Sequence, residues 1–173
     1  MDKKALTVTE DRLEKLEKIR SLGIDPYPSS LKFERSFVSH ALKSLGDEVA
    51  VAGRILSQRG HGNVVFWDLV DETGKIQLFC QKKILAEKFS LLKLIDVGDF
   101  ISAKGIVIKT VAGELSIDVT DFQILVKTIK QLPTQWYGLK DVEERYRKRY
   151  LDTILNNEVK QRLVSRSKII DSI

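Results

Sequence analysis

Residues 64–80 read VVFWDLVDETGKIQLFC, and how this stretch folds decides how the chain around it is organised. Two runs of β-branched and aromatic residues flank Asp71-Glu72-Thr73-Gly74, a short glycine-containing connection of the kind that joins hairpin strands. Side chains alternate faces along a strand, so Val65, Trp67 and Leu69 share a side with Ile76, Leu78 and Cys80 of the return strand. These six residues make an apolar face for a core. The other side carries Val64, Phe66 and Asp68 against Lys75, Gln77 and Phe79. If the four-residue turn sets the register, Gln77 lies diagonally across from Phe66, and an aromatic ring stands next to an amide on an outward face.

The neighbouring segments extend the strand pattern. VAVAGRILSQR (49–59) is a long first strand in which Gly53 suits a bulge or sharp bend. KKILAEKFSLLKLI (82–95) places Leu85, Phe89 and Leu92 on one face of a helix. FISAKGIVIKT (100–110) is a fourth strand, and a turn at Ala112-Gly113 leads into a fifth, ELSIDVTDFQILV (114–126). Five strands with a helix between the third and fourth is the order of an OB-fold barrel. The expected architecture is therefore mainly β with flanking helices.

On the N-terminal side, residues 8–22 place Leu13, Leu16, Ile19 and Leu22 near helical spacing, with Thr9 as a cap and Gly23 as a stop. Pro26 and Pro28 force an extended passage, and SHALKSLG (39–46) makes a short helix ending at Gly46. After Pro133, residues 138–155 and 156–173 read as two helices, with Asn156 and Asn157 as break and cap. Leu163, Ile169, Ile170 and Ile173 have no evident apolar partner in the chain, as in an unfinished domain. The expected division is a helical extension over 1–46, the barrel over 47–130, and a linker with helices over 131–173.

With 43% hydrophobic residues, 173 residues suffice for one sizeable domain with appendages. No apolar run approaches the ~20 residues of a membrane helix, and the N-terminus lacks a signal-peptide centre. These features lead to the expectation of a soluble, cytoplasmic protein without a membrane role. Cys80 has no second cysteine to pair with and reads as a small buried hydrophobe. The net charge of +5 sits wholly in residues 127–173, which carry 11 basic and 6 acidic side chains, whereas residues 41–126 carry 10 and 11. A near-neutral sheet domain does not bind nucleic acid through many phosphate contacts, so recognition would rest on a few placed side chains.

OB-folds bind single strands on the face of strands two and three, stacking bases on aromatic rings. Phe66 suits such stacking, and the Gln77 amide offers the donor and acceptor that a uracil edge requires. Arg59, near the end of the first strand, can meet a phosphate or a base. Glu114, opening the fifth, can accept a base N–H, and His61 between Gly60 and Gly62 can contact a nucleotide from the first turn. Read singly, Phe66 equally suits a place under the N-terminal helix, and the polar residues suit solvated surface. Their convergence on one barrel face favours binding. His61 and His40, without a cysteine cluster, do not make a metal site. The run Arg145, Arg147, Lys148, Arg149 is interleaved with Glu143, Glu144 and Asp152, which favours a salt-bridged helix over a phosphate site. No phosphate loop, GxSxG elbow or HExxH motif is present, and no catalytic residue is assigned.

GIDPYP (23–28), VAVAGRI, the hairpin, VGDFISAKG, KTVAGELSI, YGLKDVEERYRKRYLD (137–152) and RSKII (166–170) together give the chain a resemblance over nearly its whole length. It resembles the N-terminal, anticodon-binding part of lysyl-tRNA synthetases, class II enzymes of the aspartyl, asparaginyl and lysyl subgroup. The hairpin and RYLD are shared across that subgroup, while GELSI and GLKDVEERYRKRYLD point to the lysyl members. The resemblance implies that Phe66 stacks on the anticodon, that Gln77 reads its middle uracil, and that Arg59 and Glu114 contact it. The partner implied is the UUU-type anticodon loop of lysine tRNA. Where the family often has a second basic side chain beside Arg59, this chain has Gln58.

The family's enzymes join lysine to tRNA through lysyl-adenylate, using ATP and magnesium, and act as homodimers. RSKII would open the first class II motif, and the later catalytic motifs are absent. The chain alone is therefore expected to be inactive as a ligase and to hold no cofactor. The competing expectations are a stand-alone single-strand-binding OB module, against which the neutral barrel argues, and a dimerisation unit built on the sticky helices.

Overall fold

The computed structural model describes residues 3–132 and 142–173. Strands β1 (Glu48–His61), β2 (Val64–Val70), β3 (Lys75–Gln81), β4 (Phe100–Lys109) and β5 (Leu115–Val126) close a barrel in the order β1-β2-β3-β5-β4. All neighbours are antiparallel except β3 and β5, which run parallel. This is the five-stranded OB-fold, with helices flanking the barrel. The length of β1 makes closure possible: residues 48–54 pair with β4 and residues 54–61 with β2.

Gly53 sits at that changeover. A Cβ there would lie 2.4 Å from the Val70 carbonyl oxygen, so glycine is required for backbone approach. The bulge itself lies further on, between Ile55 and Ser57, and the β4–β5 ladder shifts register twice, at Phe100/Ile101 and at Lys104/Gly105.

The hairpin follows the alternation of its sequence. Trp67, Leu69, Ile76, Leu78 and Cys80 are buried in the barrel core with Ile55, Ile101, Val107, Ile117 and Val119, and Val65 packs against them. The Trp67 ring meets Phe122 edge to face at 6.2 Å. Asp71 organises the turn: one carboxyl oxygen accepts hydrogen bonds from Thr73 N, Thr73 Oγ1 and Gly74 N, and the other accepts from Val38 N. Burial raises the pKa of this carboxyl, but the four donors outweigh burial and hold it below the ordinary value.

Two segments depart from expectation. Residues 82–95 do not form one helix: α3 (Lys82–Leu85) gives way at Ala86, φ +49°, to a 3₁₀ stretch over Ala86–Leu94. The break still buries Leu85 and Leu92, with Phe89 packed against the core. Helix α1 (Lys3–Ser21) forms and ends at Gly23, φ +72°, but its buried stripe is Arg12, Leu16 and Ile19. Leu13 and Leu22 are 45% and 58% exposed. Leu13, Leu16, Ile19 and Leu22 are spaced by threes, which drifts around a helix of 3.6 residues per turn, so both ends of the series cannot face one surface.

Arg12 is buried with its guanidinium engaged, donating to Thr128 O, Thr128 Oγ1 and Val97 O. Beside it Lys127, without exposure, pairs with Asp99 at 2.8 Å and with Asp96. Burial pushes Asp96 up, yet hydrogen bonds and charge from Lys127 and Lys15 bring it below the usual carboxylate range. A short helix, α2 (Val38–Ala41), precedes β1, and Gly46 lies beyond it at φ +90°.

Residues Met1–Gln131 make one compact unit and Leu132–Ile173 a second. In the second, the expected first helix is two, α4 (Val142–Arg147) and α5 (Arg149–Leu155), separated at Lys148, whose φ of −115° and ψ of 48° are not helical. The part of that helix expected over residues 138–141 lies outside the described residues. Asn156 caps α6 (Asn157–Asp171) by accepting from the amides of Glu158 and Val159. The basic run is salt-bridged as expected: Arg147 to Glu143, Lys148 to Glu144, and Arg145 and Arg149 to Asp152. Leu163, Ile169, Ile170 and Ile173 are exposed. Among the described residues no helix is long and apolar enough to cross a membrane.

Candidate nucleic-acid interface

The outward side of the hairpin is an aromatic platform with polar groups beside it. Cross-strand pairing sets Phe66 opposite Phe79, and their rings stack with centroids 5.0 Å apart and planes 15° from parallel. Gln77 pairs with Asp68 one step along the ladder, diagonal to Phe66. Around this platform the structure gathers Arg59, Phe66, Gln77, Phe79 and Glu114 with the end of β4, Ile108 and Lys109, and the connection that follows it, Thr110–Ala112. They enclose an open, mainly apolar pocket of about 570 Å³. Its walls are a strand face and the loop after β4, the two places where OB-folds hold oligonucleotides. Helix α1 docks instead on Asp96, Val97 and Thr128, and none of its residues lines the pocket.

Gln77 is only 6% exposed, and both ends of its amide are engaged. Its Nε2 donates to Glu114 Oε2 at 2.8 Å, and its Oε1 accepts from the hydroxyl of the fully buried Ser116 at 2.8 Å. Ser116 reaches it because the parallel β3–β5 register places the two residues side by side. One amide hydrogen and one carbonyl lone pair remain for a ligand. The Glu114 carboxylate, expected to meet a base directly, is turned to Gln77.

Arg59 has an exposed side chain and leans on Asp68 at 3.4 Å, a contact weak enough to exchange for a phosphate or base. Asp68 also accepts from Ser57 Oγ at 2.7 Å and lies 3.8 Å from Lys75. The face thus carries its cations close to a carboxylate and stays near neutrality. The backbone of His61 ends β1, and its side chain lies outside the described residues.

One contributor to the face is invisible in the sequence, and another is visible only in part. Phe79 was legible from its alternation with Gln77, yet its role as the second ring of the platform depends on the β2–β3 register. Ser116 gives no signal of its own, because the pairing that brings β5 to β3 joins residues 39 apart. Burial, followed by the nearby charge of Asp118, pushes the Cys80 thiol up to about 12, leaving no reactive thiolate at neutral pH. Among the described residues no three His, Cys, Asp or Glu side chains gather where a metal ion could bind.

Residues 49–125 match the tRNA anti-codon family of OB-fold nucleic acid binding domains. Over most of its length the chain is similar to proteins named lysine–tRNA ligase. One from Thermoanaerobacter sp. (strain X514) is 44% identical over 168 residues, covering 94% of this chain and 34% of that protein. One from Halalkalibacterium halodurans is 41% identical over 175 residues, covering 94% and 34%. One from Clostridium botulinum (strain Okra / Type B1) is 40% identical over 178 residues, covering 99% and 35%. The chain spans about a third of the length of the curated relatives it matches.

Proposed function

We propose that this chain, whose barrel belongs to the family of tRNA anticodon-binding OB-fold domains, reads the anticodon loop of a lysine tRNA. The observation that carries the reading is the Phe66–Phe79 stack beside the buried, doubly held Gln77. An unpaired base laid on Phe66 gains stacking energy, about 1 to 3 kcal/mol per base. The same base presents its edge to the Gln77 amide, whose free donor and acceptor complement a uracil. Arg59 exchanges its weak hold on Asp68 for a phosphate or a neighbouring base. His61 belongs to the proposed site by its position at the end of β1.

The division into a helical extension over 1–46, the barrel over 47–130 and a C-terminal segment over 131–173 goes with this reading. So do a homodimeric lysine–tRNA ligase as the whole protein and a cytoplasmic setting. ATP and magnesium would serve that enzyme's activation of lysine.

Replacing Phe66 tests the reading directly. Phe66→Ala is expected to weaken binding to a UUU anticodon stem-loop by about 1 to 3 kcal/mol. The thermal midpoint should hardly move, because the ring lies outside the core. Unaltered affinity in a folded variant would refute the stacking role.

A further inference from the structure

Choosing uracil over cytosine is a demanding task for a glutamine. Across positions 3 and 4 of the ring, uracil offers a donor and then an acceptor, whereas cytosine offers an acceptor and then a donor. The two ends of a carboxamide have nearly the same shape, and a half-turn about the last side-chain bond exchanges donor for acceptor. A freely turning Gln77 would therefore satisfy either pyrimidine.

We infer that Glu114, assisted by Ser116, gives the site its uracil specificity by locking the Gln77 amide in one of its two orientations. The inference rests on the anticodon reading above. A carboxylate only accepts hydrogen bonds, so the end of the amide 2.8 Å from Glu114 Oε2 must be the NH₂. The half-turned amide would set its carbonyl oxygen against the carboxylate, losing a charge-assisted bond and gaining a repulsion. Ser116 completes the lock by donating to the oxygen end from inside the sheet.

A hydroxyl can also accept, so Ser116 alone would tolerate both orientations. Glu114 is decisive, and Ser116 reinforces it. Glu114 is thus a positioning residue that acts through Gln77. Its exposed place in the β4–β5 connection, just before β5, leaves it free to change without disturbing the core.

The test uses the full chain and two stem-loops, UUU and UCU, with affinities measured for the parent protein, Glu114→Gln and Ser116→Ala. A glutamine at 114 is nearly the shape of glutamate but pairs with either end of the Gln77 amide. Glu114→Gln is expected to lower the UUU/UCU affinity ratio about tenfold, the equivalent of losing one oriented hydrogen bond to a charged group. Ser116→Ala should lower it by a smaller factor, about threefold.

An unchanged ratio in Glu114→Gln, where the parent chain discriminates, would overturn the lock and leave the anticodon reading standing. A changed preference at a flanking anticodon base with the middle-base ratio intact would also overturn it, since Glu114 would then touch that base itself. A parent ratio near one would overturn the anticodon reading and the lock together. Because Glu114→Gln leaves the buried sheet untouched, the test does not depend on Ser116→Ala folding.

Discussion

Phe66 and Trp67 are adjacent aromatics with opposite duties, and the pleat of one strand separates them. Trp67 points inward, is fully buried and meets Phe122, whereas Phe66 points outward and stacks on Phe79. Trp67→Ala is expected to destabilise the barrel by roughly 3 to 5 kcal/mol, measured by chemical denaturation, because a large buried ring leaves a cavity. A loss under about 1 kcal/mol would mean that its ring is not a core element. This division was legible in the sequence because period-two alternation needs only neighbouring residues. The lock on Gln77 was not, since it depends on Ser116 arriving from β5 through parallel pairing and on Glu114 just before that strand. Alternation alone makes the Gln77 amide available, whereas the fold orients it.

Among the elements, the strands matched their pattern more closely than the helices did. A strand's boundaries follow from alternation and turn residues, and the Asp71 turn shows the local chemistry that enforces them. The segment after β3 has an apolar spacing that suits a helix, but the chain must cross from the end of β3 to the start of β4. It does so by breaking at Ala86, whose φ of +49° and ψ of −118° suit glycine rather than a residue with a Cβ. Ala86→Gly should relieve strain of order 1 kcal/mol and raise the thermal midpoint by a few degrees. A fall in the midpoint would show that the unfolded-state entropy of glycine outweighs the relief. Helix α1 failed differently: a strict spacing of threes placed Leu13 and Leu22 on the wrong side, and buried Arg12 was invisible as a core-facing residue. A buried arginine needs hydrogen-bond partners, and those of Arg12, Val97 and Thr128, lie far along the chain.

At the scale of the whole molecule, charge and apolar surface divide the labour. The barrel region is close to neutral, and the excess positive charge falls in residues 127–173, where paired carboxylates tie down the run at 145–149. A barrel built this way gains little from a general attraction to phosphate, and the proposed recognition depends on contacts with bases. The central claim is therefore a claim about specificity, and a titration decides it most directly. The full chain is titrated with a UUU anticodon stem-loop and with one whose middle U is replaced by C, at low and at moderate salt. A preference for UUU that persists as salt rises is the predicted result. Equal affinity for the two loops, falling together as salt rises, would contradict it and reduce the interaction to phosphate attraction.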